Sequence, residues 1–397
     1  MIISESLKFT QEYNRQDLYG YYTVGKLKMY SQIEAVEVSS KLNLPIKWHF
    51  NDEVYSSFDW SVEPAESLTE LYKKRCEQLR EKYDYLALYY SGGADSDNIL
   101  NHFIENNIKL DEVISMTDYQ GTQDRMSQFN AEIFEVAIPK VKEAQKKQPH
   151  LKHTIIDTTD FVLDSYKLLN LDQIYNQNFS FAPFTLVRGK VKYSQQHWKE
   201  MFSVGKKVGF IYGVEKPRLN VDDNFNFNYF FTCATIAAAT TPELQRENNP
   251  FDFTELFYWS PDFPKIPIKQ AHVVKNFVKT HGLNKFKRYP RVIKEAIRQL
   301  PSGTNFSLLH NGDFLLNDEL NHLIYPYWYN IPYQYKAINL ILYEKDIWFI
   351  GKMNTEEQAK NWKTITQKVL EITKTDYKKQ SFLNNSSFSS KLYNLGK

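Results

Sequence analysis

The chain changes its hydrophobic rhythm several times. In the first sixty residues, short apolar pieces such as "YGYYTVGKL" and "LPIKWHF" are separated by turn residues, which predicts a small N-terminal α+β layer. "SLTELYKKRCEQLREKY" then spaces its apolar positions at helical intervals. Ser67 stands at its N-cap with Glu70 three residues later, the capping-box pattern. It runs into "DYLALYY", a continuous apolar stretch of the length expected for a buried strand. After the turn "SGGADS", the segment "SDNILNHFIENN" predicts an amphipathic helix. Further strands are predicted at 110–116, at 151–159 and within "KKVGFIYGVEKPRL". Between the first two of these, "DRMSQFNAEIFEVAIPKVKEAQ" reads as a helix that Pro139 should break or kink.

Strands alternating with helical stretches predict β-α-β units. The expected fold is therefore α/β, a parallel sheet of about five strands with helices on both faces, its functional loops at the carboxyl ends of the strands. Beyond about residue 225 the alternation fades. "FNFNYFFTCATIAAATTPELQ" reads as a buried helix, and "FTELFYWSPDFPKIPIKQAHVVKNFVKTHG" as a loop followed by a helix. An irregular aromatic stretch with a late strand pair, an amphipathic helix ("TEEQAKNWKTITQKVLEIT") and a polar tail ("SFLNNSSFSSKLYNLGK") follow. The expected organisation is an N-terminal region over 1–80, an α/β domain over 81–225 and a C-terminal, mostly helical, aromatic-rich lobe over 226–397.

Composition narrows the function classes. A net charge of +2 over 397 residues gives no support to a strongly basic nucleic-acid binder. The first residues carry no basic, apolar leader, and the apolar runs fall short of a bilayer span. The expectation is a cytoplasmic protein without a membrane partner. With only Cys76 and Cys233, there is no disulfide framework and no cysteine-based zinc site, and two buried thiols are expected.

The chemistry concentrates in "SGGADS". A strand that ends in Ser-Gly-Gly and flows into a helix places several backbone N–H groups at the positive end of the helix dipole, an anion site. Gly92 and Gly93 allow unusual dihedrals and close approach, and Ser91 and Ser96 add hydroxyls without bulk. Asp95 would repel phosphates unless a metal lay between, which points to Mg²⁺ bridging a polyphosphate. Neither a Walker A loop nor G-x-G-x-x-G occurs in the chain.

These residues, in their strand–loop–helix setting, resemble the S-G-G-x-D-S pyrophosphate loop of the adenine nucleotide alpha hydrolase-like ATP pyrophosphatases. In character the chain is closest to the synthetase domain of asparagine synthetase. The resemblance covers about residues 82–220 and implies a HUP-like domain that binds ATP and Mg²⁺. It further implies a substrate oxygen adenylated at the α-phosphorus, pyrophosphate released, and a nucleophile that then displaces AMP. Ser91, Gly92, Gly93 and Ser96 would cradle pyrophosphate, Asp95 would hold Mg²⁺, and adenine would lie near Leu88, Tyr90 and Met116. Lys216, with Arg218 beside it in "YGVEKPRL", matches the late lysine that asparagine synthetase-like domains place near pyrophosphate. The implied catalytic set is Asp95, Ser96 and Lys216.

Other residues are open. Asp97 departs from the small or apolar residue often seen after the family's "DS", and would either bind a second metal or weaken ATP binding. Asp262 and Lys265 in "FYWSPDFPK" belong to a substrate loop or a packing loop. Asp118, Gln123, Arg125, Asn130 and Glu132 follow the second strand, where a substrate-reading segment is expected, and His102 reads as a surface histidine. The cysteine content argues against an internal glutaminase, a zinc-dependent deazaguanine synthase and a sulfotransferring reductase. The expected activity is an AMP-forming ligase that couples a small-molecule carboxylate or carbonyl to an amine or ammonia. A tRNA- or nucleobase-modifying enzyme, with "PKVKEAQKKQPHLK" touching phosphate, is the less favoured alternative. An inactive nucleotide-binding module is the other.

Overall fold

The computed structural model describes residues 19–30, 32–117, 132–161, 164, 188–214, 216–221, 226–232, 249–281, 313–315, 322–327 and 389–397. The chain starts with a three-stranded antiparallel sheet of β1 (Tyr21–Val24), β2 (Leu27–Met29) and β3 (Ile46–His49), in the order β2-β1-β3. Helices α1 (Gln32–Leu42) and α2 (Asp52–Ser56) flank β3 in the chain.

Helix α3 (Leu68–Lys82) begins where its cap chemistry puts it. The Ser67 side chain accepts from the Glu70 backbone N–H, and the Glu70 carboxylate accepts from the Ser67 N–H at 2.7 Å. Next come β4 (Tyr85–Tyr89), α4 (Ala94–Glu105) and β5 (Glu112–Thr117). A π-helical stretch, Glu132–Ala137, runs straight into α5 (Ile138–Lys147). Pro139 does not end the helical run; the change in hydrogen-bond pattern comes just before it, where the π-helical turn gives way to α5. Strand β6 (Lys152–Asp157), helices α6 (Arg188–Ser194) and α7 (Gln196–Ser203), and strand β7 (Val208–Tyr212) complete the alternating part.

Strands β8 (Arg218–Val221) and β9 (Phe227–Phe230) follow, then β10 (Asp252–Leu256), α8 (Lys265–His281), β11 (Asp313–Leu315) and β12 (Tyr393–Gly396). Two readings change here. Phe227–Phe230 is a strand rather than part of a buried helix, as the alternation in "FNFNYF" accounts for. The end of the polar tail is a strand too, burying Tyr393 and Leu395 and pairing with β9. The segment "TEEQAKNWKTITQKVLEIT" lies outside the described residues.

The main sheet is parallel throughout, in the order β10-β7-β4-β5-β6. Its outermost strand comes from 252–256, well beyond residue 225. From β4 the chain moves one way to β5 and β6, and from β7 onward it builds the other side. The order therefore reverses between β4 and β7, the place where open α/β sheets bind ligands at their carboxyl ends. Glu255, in register with Ile211, meets Arg75 of α3 at 2.7 Å, while Phe210, one residue earlier, turns to the opposite face and packs on Trp198 of α7. The fold is α/β, a five-stranded parallel sheet with helices on both faces. A second, antiparallel sheet has the order β11-β8-β9-β12.

The aromatic residues join these layers. Phe50 and Tyr55 from the N-terminal region, Tyr229 and Phe231 at β9, Tyr393 of β12, and Trp60 and Trp259 form one buried cluster. Two of its polar ends are satisfied within the cluster: Tyr55 donates to the Trp259 carbonyl at 2.9 Å and Trp60 Nε1 to the Tyr55 carbonyl at 2.8 Å. Cys76 is a buried free thiol, and Cys233 lies outside the described residues.

His102 is not a surface histidine. It is fully buried on α4, packed against Tyr327 and edge-on to Tyr72, because α3 and residues 322–327 cover that helix. Burial lowers its pKa to about 4. The folded state therefore binds its proton less readily than the unfolded chain, whose histidine titrates near the ordinary value of about 6.5. This contribution to stability is complete above that value and is lost as pH falls toward 4, on the order of 3 kcal/mol in all. Chemical denaturation of wild type and His102→Gln at pH 7 and pH 4.5 checks it, since the variant should lose less stability on acidification.

Candidate functional site

The "SGGADS" loop sits at the carboxyl end of β4, beside the reversal in strand order. Three local features give it its shape. Gly92 has φ +87°, a conformation that favours glycine. Gly93 is the N-cap of α4 in an extended conformation, and the Asp97 N–H closes the first turn on the Gly93 carbonyl at 2.9 Å. The serines brace the loop from within. Ser96 Oγ donates to the Gly93 carbonyl at 3.2 Å and accepts from the Ser91 N–H at 3.4 Å, and Ser91 Oγ accepts from the Gly93 N–H at 3.3 Å. The first-turn N–H groups of Ala94, Asp95 and Ser96 have no intrahelical acceptor, and they carry the positive end of the dipole.

The opposite wall is set by Gly213, directly after β7. A Cβ there would stand 3.1 Å from the Ser96 nitrogen and 3.2 Å from the Asp95 carbonyl carbon. The missing side chain lets the β7 exit approach the loop this closely, and a Cβ would press on the Asp95–Ser96 peptide. Lys216 is buried on the segment that leaves Gly213, and Arg218 begins β8 half-buried. Leu88 is fully buried in the middle of the sheet, Tyr90 is buried, and Met116 on β5 is half-buried.

The two loop aspartates have different surroundings. Asp97 is fully buried. Its carboxylate accepts from Tyr90 at 2.9 Å, from Asn101 at 3.0 Å and from the Lys140 ammonium of α5 at 2.9 Å. Burial pushes its carboxyl above the ordinary range, and Lys140 opposes that push. The Asp97 carboxylate is turned inward and paired with Lys140, an environment that the sequence reading of Asp97 as a metal ligand or a phosphate-weakening charge did not include.

Asp95 is half-buried at the mouth of the loop. Tyr325 donates its hydroxyl to the Asp95 carboxylate, and Tyr258 donates to the Asp95 carbonyl at 2.7 Å. Burial pushes both hydroxyls well above the ordinary tyrosine range, and the Asp95 charge adds to this, so both remain donors. Asn98 Nδ2 donates to the Tyr258 hydroxyl at 3.1 Å, and Asn101 Nδ2 to the Tyr327 carbonyl at 2.8 Å, which fastens both tyrosine-bearing segments to α4. Sequence reasoning missed Gly213, Lys140, Tyr258 and Tyr325. Gly213 alone left a sign, as a glycine following a predicted strand.

Asp262 and Lys265 do not stand at the loop. Asp262 pairs with Lys82 at 2.7 Å and Lys265 with Glu66 at 2.8 Å, so the "SPDFPK" stretch is tied to α3 and its approach. Asp118, Gln123, Arg125, Asn130 and the Glu132 side chain lie outside what the structure describes. No group of three or more histidines, cysteines or carboxylates is gathered for a metal among the described residues. No helix among them is long and apolar enough to cross a membrane.

No protein-family model matches the chain. No curated protein matches it either. Among solved structures, an NMN synthetase from Francisella tularensis is similar at 11% identity and a TM-score of 0.26, covering 78% of this chain and 98% of that one. A superposition that loose adds nothing to what the sheet order and the loop establish.

The Gly213 contact predicts a graded response. Gly213→Ala should displace the loop by a few tenths of an ångström and weaken pyrophosphate binding on the order of tenfold, with little change in melting temperature. Calorimetric titration beside a thermal melt separates the two effects.

Proposed function

We propose that the protein is an ATP-dependent, AMP- and pyrophosphate-forming ligase. The observation that carries this reading is the braced Ser-Gly-Gly turn, set at the reversal of strand order, with the donors of α4 at its mouth. The triphosphate lies over Ser91–Ser96, its β- and γ-phosphates taking hydrogen bonds from the first-turn N–H groups and the serine hydroxyls. Lys216 and Arg218, on the strand exit held against the loop by Gly213, neutralise charge that grows on the α-phosphate and the leaving pyrophosphate. A carboxylate or carbonyl oxygen of the acceptor attacks the α-phosphorus, the bond to the β-phosphate oxygen breaks, and an adenylate forms. An amine or ammonia then adds at the activated carbon and expels AMP. Adenine lies toward the carboxyl ends of β4 and β5, where Met116 offers the half-buried surface.

Magnesium fits this donor set. Mg²⁺ bound to nucleotides takes one or two protein carboxylates and fills its remaining positions with phosphate oxygens and water. Asp95 supplies one carboxylate at the mouth of the loop. Bound there, Mg²⁺ would screen the phosphates from Asp95 and stabilise the departing pyrophosphate. The pairing of Lys140 with Asp97, and of Lys146 and Lys147 with Glu143 and Glu105, takes up much of the lysine-rich stretch and favours a small-molecule acceptor over RNA.

Pyrophosphate release from ATP, assayed across panels of carboxylates and amines, tests the activity. Asp95→Ala and Ser96→Ala should abolish it while the fold persists. Lys216→Ala should lower kcat by about 10²-fold or more, with a smaller change in ATP affinity. Equal pyrophosphate release by wild type and Asp95→Ala would overturn the assignment.

A further inference from the structure

The half-buried Asp95 of the loop is held by residues that are far away in the sequence. Asp95 is bonded at two points: Tyr325 donates to its carboxylate and Tyr258 to its main-chain carbonyl. Both rings are buried and pack against each other with centroids 5.3 Å apart. Tyr72 packs edge-on against Tyr258 and donates to the Ile324 carbonyl at 2.6 Å, which locks the segment carrying Tyr325 in place. Gln270 of α8 donates to the Tyr72 hydroxyl at 2.8 Å. Four separate parts of the chain thus build one network around Asp95, and Tyr325 is the member that bonds its side chain.

Such a grip has a cost. Three tyrosine hydroxyls, the Asn98 amide and the Gln270 amide are taken out of water, and a buried polar group needs a partner there. Stability alone would be served as well by apolar residues of similar shape. What the network adds is direction, since one carboxylate oxygen accepts the Tyr325 hydroxyl while the carboxylate remains half-exposed toward the loop mouth.

We propose that Tyr325, with Tyr258 behind it, is a positioning residue that orients the Asp95 carboxylate for a divalent cation bridging to pyrophosphate. This rests on the reading of the loop as a metal–polyphosphate site. Tyr325 touches neither phosphate nor metal and acts through Asp95. Hydrogen-bond partners of metal-ligating carboxylates typically contribute 10–100-fold to metal affinity.

The test uses the full chain, with Mn²⁺ as a paramagnetic probe in the presence of inorganic pyrophosphate. Free Mn²⁺ is read by electron paramagnetic resonance, with no turnover involved. Tyr325→Phe removes one oxygen and keeps the ring. It should weaken Mn²⁺ binding about 10–100-fold while metal-free pyrophosphate binding, measured calorimetrically, stays within about twofold of wild type. Tyr258→Phe should weaken Mn²⁺ binding in the same direction by a smaller factor, and it provides a second reading if Tyr325→Phe folds poorly. Wild-type Mn²⁺ affinity in both folded variants, with binding lost in Asp95→Ala, would overturn the positioning role and leave the metal–pyrophosphate reading standing. Absence of Mn²⁺ and pyrophosphate binding in wild type would overturn both.

Discussion

Two backbones meet at Gly213 so closely that even a methyl group would press on the loop, and the geometry of the site depends on that contact. The exit of β7 lies against the Asp95–Ser96 peptide on the far side of the reversal in strand order. Parallel pairing of β4 with β7 brings the two strand ends level, and the missing Cβ lets them close up. The chain that leaves Gly213 carries Lys216 and Arg218, so one contact fixes the direction in which both basic residues depart. β10 extends the same arrangement: the Phe257 N–H donates to the Tyr212 carbonyl, and Tyr258 follows at once with its hydroxyl on Asp95.

Charge at the helix N-terminus is divided between two nearby carboxylates with opposite roles. The dipole favours negative charge in the first turn of α4, for Asp95 and Asp97 alike. Asp97 turns inward, where Lys140, Tyr90 and Asn101 repay the loss of water. Asp95 stays at the opening, where its contacts are neutral hydroxyls that leave its charge uncancelled. The site therefore keeps one usable negative charge beside an array of donors, the combination that a cation with a polyphosphate requires. The buried pair also ties α5 to α4, so the helix that presents the donors is held from behind.

Among the described residues, the aromatic content finds its explanation in packing. Three sheets of different direction meet around Phe50, Tyr55, Trp60, Tyr229, Phe231, Trp259 and Tyr393. Flat rings with polar ends fill irregular space between such layers and still satisfy a stray carbonyl. The Tyr72–Tyr258–Tyr325 group applies the same chemistry to hold a loop residue.

The sequence by itself determined what depends on neighbours along the chain. Ser67 and Glu70 stand three residues apart, so the start of α3 could be read directly. The apolar runs before and after "SGGADS" determined the strand–loop–helix order, and the glycines and serines of that stretch determined the turn. Period-two alternation in "FNFNYF" and "KLYNLG" was also present locally, though its strand pairing joins residues more than 150 positions apart. Tertiary structure alone decided the rest. Whether Asp97 faces a phosphate or a lysine depends on α5, forty-three residues later. That His102 is buried and Asp95 gripped depends on 72, 258 and 322–327, which approach α4 only once the sheet has assembled. Side-chain environment is set by whatever packs across the gap, and separation along the chain carries no information about that distance.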